Sequence, residues 1–343
     1  MPDGPGVKML FCVKHRRREK GKGGIFLEYR DLRKIRQRRR RLLLEQNAPC
    51  LLILSVYVLL LLSRLMDTEW GTPENQYLSV ILMQIMIFLF PGLIFCKLQG
   101  SDFTSHLRLT GVRPSHVLLI LSATLTLIAG SLLIGIQTGG MDTLARNFTL
   151  YDTFSSQNEG TVGNVLYLLL AYAALPALCE ELVFRGMLCA ALEERVGLLP
   201  TMLCSTLYFG MLHFQFRLLP MYLFAGFLLS LILYATRSLP AAMAVHFLNN
   251  VFGLFGRPAL SQFYLYTGST QLFTFLLVCL MLVGGIFFCG EAGRCYRRYA
   301  EGGYPAPYRV DIPREDRTSV LVRTLFPPAG ILCVVVYILA SIF

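Results

Sequence analysis

Beyond residue 47 the chain falls into nine apolar runs, at about 48–66, 77–97, 115–136, 163–181, 198–214, 218–236, 239–256, 271–289 and 325–343. Each is near the ~20 residues that cross a ~30 Å hydrocarbon core. Backbone polar groups must be satisfied internally there, which favours helices for runs of this length. The pattern predicts an all-α polytopic membrane protein with about eight to nine transmembrane helices. The fifth and seventh runs are short and carry polar residues, which predicts helices buried among other helices. No internal repeat is visible.

Composition agrees. The 343 residues are 55% hydrophobic and 15% charged, against about 25% charged in soluble domains. This excludes a pair of soluble domains, which would expose apolar surface at roughly 25 cal/mol per Å². Charge is uneven: residues 1–47 hold 15 Lys+Arg and 5 Asp+Glu, and the other 296 residues hold 17 and 16. The chain therefore divides into a basic arm, 1–47, and a transmembrane domain, 48–343. The run Arg38-Arg39-Arg40-Arg41 could bind nucleic acid. An apolar run starts within ten residues of it, so the arm reads instead as a cytoplasmic flank that fixes orientation and touches anionic lipid. No nucleic-acid partner is expected.

With the arm inside, the connections alternate. The outer side takes Arg64, Arg146, Arg217 and Arg257. The inner side takes Lys97, Arg108, Arg113, Arg185, Arg195, Arg237 and the arginines between 290 and 324. The asymmetry follows the positive-inside rule and places the N-terminus in the cytoplasm. No cleavable signal is evident. Arg outnumbers Lys 26 to 6, a bias that points to a GC-rich genome and a bacterial cell membrane. The ten cysteines form no CxxC pair and lie mostly in apolar runs, where Cys acts as a small hydrophobe. Phe26–Gln46 reads as a helix on the membrane surface or feeding the first span. Asn147-Phe148-Thr149 is a glycosylation sequon, without meaning in most bacteria.

An ionisable residue inside a span costs about 2.5–3.5 kcal/mol on insertion scales, so each needs a reason. Here they cluster between 180 and 250. Glu180-Glu181-Leu182-Val183-Phe184-Arg185 closes the fourth run and continues as helix to about Val196. Glu181 and Arg185 are i,i+4 neighbours in the favourable order. Glu180 points about 100° away with no partner in its own helix, a setting suited to a general base. Pro176 can kink the helix one turn earlier. The plain structural reading is a Glu–Arg pair at a cytoplasmic helix end. His213 follows Phe209 by one turn, and His246 and Asn250 share a helix face. A lone buried His is ordinarily a satisfied core residue. Together, Glu and His could hold a water while a second His and Asn donate to an oxyanion. Glu180, His213 and His246 could equally bind a zinc ion. The chain has no HExxH, GxSxG or GxGD.

The ordered set EExxxR, FxxxH and HxxxN, each in an apolar helix, resembles the CPBP family (CAAX proteases and bacteriocin-processing enzymes, also called Abi), which includes the type II CAAX prenyl endopeptidase. The resemblance covers about 163–257. It implies an intramembrane helical core open towards the cytoplasm, with Glu180 as the water-activating base and His213 its partner on that water. It makes His246 and Asn250 the oxyanion site, with Glu181, Arg185 and Phe209 supporting. The family is often named metalloprotease, yet the set offers no clear third ligand beyond one Glu, so no cofactor is expected and a divalent metal such as zinc stays open. The function implied is an intramembrane endopeptidase acting on a membrane-associated peptide or protein, by CAAX-type or bacteriocin/pheromone-type processing. The competing readings are a non-catalytic immunity or scaffold protein and a transporter or proton relay.

Overall fold

The computed structural model of the protein describes residues 46–64, 76–140, 162–302 and 314–342. The surface helix at 26–46, apart from Gln46, and the sequon at Asn147 lie outside these residues. Among the described residues there are helices and no strands. Seven helices are long and apolar enough to cross a membrane: α1 (Gln46–Arg64), α2 (Leu78–Gln99), α3 (Pro114–Gly139), α4 (Val165–Val196), α6 (Leu219–Thr236), α7 (Leu239–Gly256) and α9 (Thr270–Glu301). Between them lie α5 (Leu198–Met211) and α8 (Arg257–Thr267). The last two are α10 (Arg314–Leu325) and α11 (Pro328–Ile342). Thr318–Thr324 and Pro328–Ile342 make an eighth span if the 59° bend between them lies within one crossing. The chain is an all-α, multi-pass membrane protein.

Among the described residues each of the nine apolar runs holds a helix, but that of the fifth, α5, is only 14 residues long. Burial inverts the soluble pattern. Large apolar side chains such as Leu93, Phe275 and Ile286 are exposed, where lipid would cover them, while Thr201, Ser205, Ser230 and Glu181 are fully buried. The interior hydroxyls close on carbonyls of their own or adjacent helices: Thr201 Oγ1 on Gly197 O, Ser230 Oγ on Gly226 O, Ser205 Oγ on Phe184 O. These bonds satisfy groups that hydrocarbon cannot. Small residues let helices approach. A Cβ on Gly284 of α9 would meet the backbone N of Thr126 in α3 at 3.0 Å, the close packing that membrane helices favour.

Several helices are not uniformly wound. They widen to i→i+5 bonding over Ile85–Leu89, Leu170–Ala174, Leu182–Leu188 and Phe252–Gly256. Three of these turns end two residues before a proline: Pro91, Pro176 and Pro258. Proline lacks the N–H and crowds the carbonyl four residues back, so the preceding turn opens to relieve it. The fourth, Leu182–Leu188, has no such proline. It follows directly on Glu180 and Glu181 and contains Arg185.

The fourth apolar run continues as helix to Val196, as expected, so that Glu180 lies near the middle of the 32-residue α4. One expectation needs correction: Arg185 does not lie in a connection between spans but is buried in the bundle, 1% exposed, paired with Glu181. The drop in hydropathy at Glu180 and Glu181 falls inside the helix, where this pairing accommodates the charges.

Candidate active site

Three helices meet where the polar residues cluster. α4 carries Glu180, Glu181 and Arg185, α5 and the turn after it carry Phe209 and His213, and α7 carries His246 and Asn250. Glu181 is the hub. Its Oε1 accepts from Arg185 Nη1 and from His246 Nδ1, each at 2.9 Å. The second contact joins residues 65 apart in sequence. Arg185 is held on two further sides: Nη2 donates to Gly226 O at 2.9 Å, and the guanidinium lies over the Phe209 ring, 4.2 Å from its centroid. The Gly226 site on α6 admits no side chain easily, because a Cβ there would lie 3.2 Å from Thr206 Cα and 3.1 Å from the Phe209 ring.

An ionised carboxylate only accepts, so His246 Nδ1 carries the proton of its bond to Glu181. That leaves Nε2 directed towards Glu180, 4.0 Å from Oε2 and beyond hydrogen-bonding distance. Glu180 Oε2 is buried without a hydrogen-bond partner. One imidazole thus stands between two carboxylates, bonded to one and facing the other. His213 is fixed in a matching way. Its Nδ1 lies 3.2 Å from Phe209 O, a carbonyl that can only accept, so this nitrogen donates and Nε2 is left free. The ring stacks on Tyr222 at 3.6 Å and 12°. Phe209 meets the edges of both imidazoles, with centroids at 5.5 and 5.9 Å, and so spaces them.

Glu180, His213, His246 and Asn250 all line one cavity of about 1010 Å³, at the upper end of the volumes that ligand sites occupy. Asn250 Nδ2 is 3.4 Å from Ala173 O. Glu181, Arg185 and Phe209 do not line the cavity and lie behind the groups that do. Among the described residues no three His, Cys, Asp or Glu side chains are grouped to hold a metal ion, and the Nδ1 atoms of both histidines are already engaged.

Sequence reasoning passed over several participants. Asn249, to which the sequence assigned no role, lines the cavity, as do Tyr222 and Arg257. Arg257 carried a signal, a charge ending an apolar run eleven residues after His246. A second buried ion pair was also missed. Glu193, 1% exposed, takes both oxygens to Arg108 Nη2 at 2.9 Å, with Tyr234 donating to Oε2 at 3.0 Å.

The fold defines a multi-pass membrane protein, and Glu, His and Asn side chains line a cavity within its helical bundle. Residues 162–252 match the family model described as type II CAAX prenyl endopeptidase Rce1-like. The matched stretch runs from α4 to most of α7 and holds every motif that carries the resemblance to CAAX proteases. No curated protein and no solved structure matches the chain.

Proposed function

We propose that this chain is an intramembrane endopeptidase that hydrolyses a peptide bond of a membrane-associated peptide or protein. The observation that carries the reading is Glu180 Oε2, without a hydrogen-bond partner among the described residues, on a side chain that lines the cavity beside a histidine whose orientation a second glutamate fixes. A water held between Glu180 and His213 Nε2 loses a proton to Glu180 as its oxygen adds to the scissile carbonyl. The oxygen that becomes negative then faces Asn250 and His246. His246 Nδ1 already donates to Glu181, so His246 donates to the oxyanion from Nε2 only as an imidazolium. Glu181 supplies the balancing charge. When the C–N bond breaks, the proton on Glu180 passes to the leaving amine. Stabilising donors of this kind are worth about 10²–10³ in kcat each. Asn250→Ala is therefore expected to lower kcat by that order with a small change in KM, read from initial rates.

The test offers the purified, detergent-solubilised chain a panel of membrane-tethered and prenylated peptides, with products identified by mass spectrometry. Cleavage at a defined bond, retained with a chelator, supports the glutamate-based mechanism. Cleavage abolished by chelator points to a metalloenzyme built on Glu180, His213 and His246. Peptides bound but never cleaved would favour a scaffold or immunity role.

A further inference from the structure

His213 owes its aim to the way α5 stops. Up to Leu212, whose N–H bonds to Tyr208 O at 3.1 Å, the backbone keeps α-helical spacing. The next two N–H groups reach only three residues back, His213 N to Gly210 O at 3.5 Å and Phe214 N to Met211 O at 3.1 Å. Helices often tighten in this way over their last turn. The tightening deprives Phe209 O of the N–H that a continuing α-helix would have supplied. His213 Nδ1 takes that place, 3.2 Å from the same carbonyl. With the proton held on Nδ1, Nε2 is left as an acceptor, because the bond made by one ring nitrogen sets the state of the other.

The turn that allows this is a strained one. Phe214, the next residue, stands at φ 50. Helix ends that enter the left-handed region usually do so at Gly or Asn, since a bulky side chain is disfavoured there. Such a residue persists only where its surroundings hold it.

The surroundings of Phe214 come from α1 and α11. Its ring is buried, 4% exposed. Tyr57 meets it edge-on, with centroids 5.4 Å apart at 73°, and Tyr337 stacks on it at 6.5 Å and 25°, both within the range of aromatic pairs. The Arg64 guanidinium lies 5.3 Å from the same centroid, a cation–π contact. α1 also grips the backbone just before Phe214. The Tyr57 hydroxyl donates to Tyr208 O, and Arg64 Nη2 donates to His213 O at 3.4 Å. Tyr208 O accepts from Leu212 N as well, so the Tyr57 bond is added to the helix and replaces nothing in it. Tyr57 is 0% exposed, and no bulk water competes for its hydroxyl.

Tyr57 and Tyr337 lie outside residues 162–252, the stretch that matches the family model. We infer that Phe214 is a positioning residue: clamped by Tyr57 of α1 and Tyr337 of α11, it holds the end of α5 in the shape that keeps His213 Nδ1 on Phe209 O and leaves Nε2 free for the cavity. α1 and α11 are thereby parts of the site, not only packing around it. What the imidazole does to a water rests on the hydrolysis reading, whereas how it is held does not. Released from the clamp, His213 is free to take the Nε2–H form that unconstrained histidine favours. Nε2 then donates and can no longer accept from the water that Glu180 activates.

The test reads the tautomer directly, by solid-state NMR of the full chain in proteoliposomes with ¹⁵N-labelled histidine at about pH 8, where an ordinary imidazole is neutral. His213→Gln identifies the His213 signals. Tyr57→Phe removes one hydroxyl and keeps the ring against Phe214. Phe214→Gly removes the ring at a φ that glycine adopts freely. Wild type should show His213 protonated at Nδ1 alone, and Nε2–H in wild type overturns the inference. Tyr57→Phe should add an Nε2–H population and lower kcat about tenfold, the worth of one hydrogen bond, with KM little changed. Phe214→Gly should lose most of the Nδ1–H form and about 10²-fold in kcat, as displaced catalytic groups do. Thermal melting checks both folds, and if Phe214→Gly does not melt cooperatively, Tyr57→Phe alone decides. An unchanged spectrum in Tyr57→Phe removes Tyr57 from the clamp, and an unchanged spectrum in both variants overturns the inference even where activity falls. An unchanged spectrum with a raised KM makes Phe214, which lines the cavity, a substrate contact instead. A changed spectrum in the variants of a protein whose wild type cleaves nothing would leave the clamp standing and sink the hydrolysis reading.

Discussion

Glu180→Gln should lower peptide hydrolysis by about 10²–10⁴-fold, the usual worth of a positioned general base, and leave the fold intact. The substitution keeps the shape and removes the charge that draws the proton from water. Its stability cost should be small because Glu180 holds no structural bond. Oε2 has no partner, and His246 Nε2 stands 4.0 Å away, too far to be a hydrogen bond. Removing a buried carboxylate that lacks a hydrogen bond can even stabilise, since its desolvation is then no longer suffered. Cleavage rates and thermal melting in the same detergent decide the matter. Activity lost at an unchanged Tm supports the base. Activity retained removes Glu180 from the chemistry, and a large fall in Tm would make it a structural residue. Glu181, one position on, should behave in the opposite way, because it carries two bonds that hold other side chains in place.

That difference between neighbouring glutamates was partly legible in the sequence. The i,i+4 spacing of Glu181 and Arg185 and the absence of a partner for Glu180 in its own helix follow from helical geometry alone, and the structure shows both. What the sequence could not show is the third member of the pair. The bond from His246 to Glu181 spans 65 positions and depends on how α7 packs against α4, which no local pattern encodes. The widened turns divide similarly. Those before Pro91, Pro176 and Pro258 have a covalent cause visible in the sequence, whereas the one over Leu182–Leu188 has none. Hydropathy put Arg185 in a connection because it scores each charge as if unpaired, whereas the structure buries it against Glu181. It did find α5 to be short, which the structure bears out at 14 residues.

Arg185→Met should destabilise the protein by about 3–5 kcal/mol, the cost of leaving a buried charge without its partner. Methionine fills much of the same volume, so the loss measures interactions more than packing. Three contacts go at once: the bond to Glu181, the bond to Gly226 O, and the cation over Phe209. Among the described residues Glu181, 0% exposed, is then left with His246 as its partner, which balances its charge only when that ring is protonated. Thermal or denaturant unfolding in detergent gives the difference directly. The double variant Arg185→Met, Glu181→Met separates structure from chemistry. Replacing both members of a buried pair by apolar residues is often neutral, so much of the stability should return. Activity should not, because His246 then has nothing to accept from Nδ1 and loses both its fixed orientation and the charge that balances an imidazolium. Recovery of activity along with stability would show that Glu181 serves folding alone. Recovery of stability without activity would show that the ion pair behind the cavity is there to aim the histidine within it.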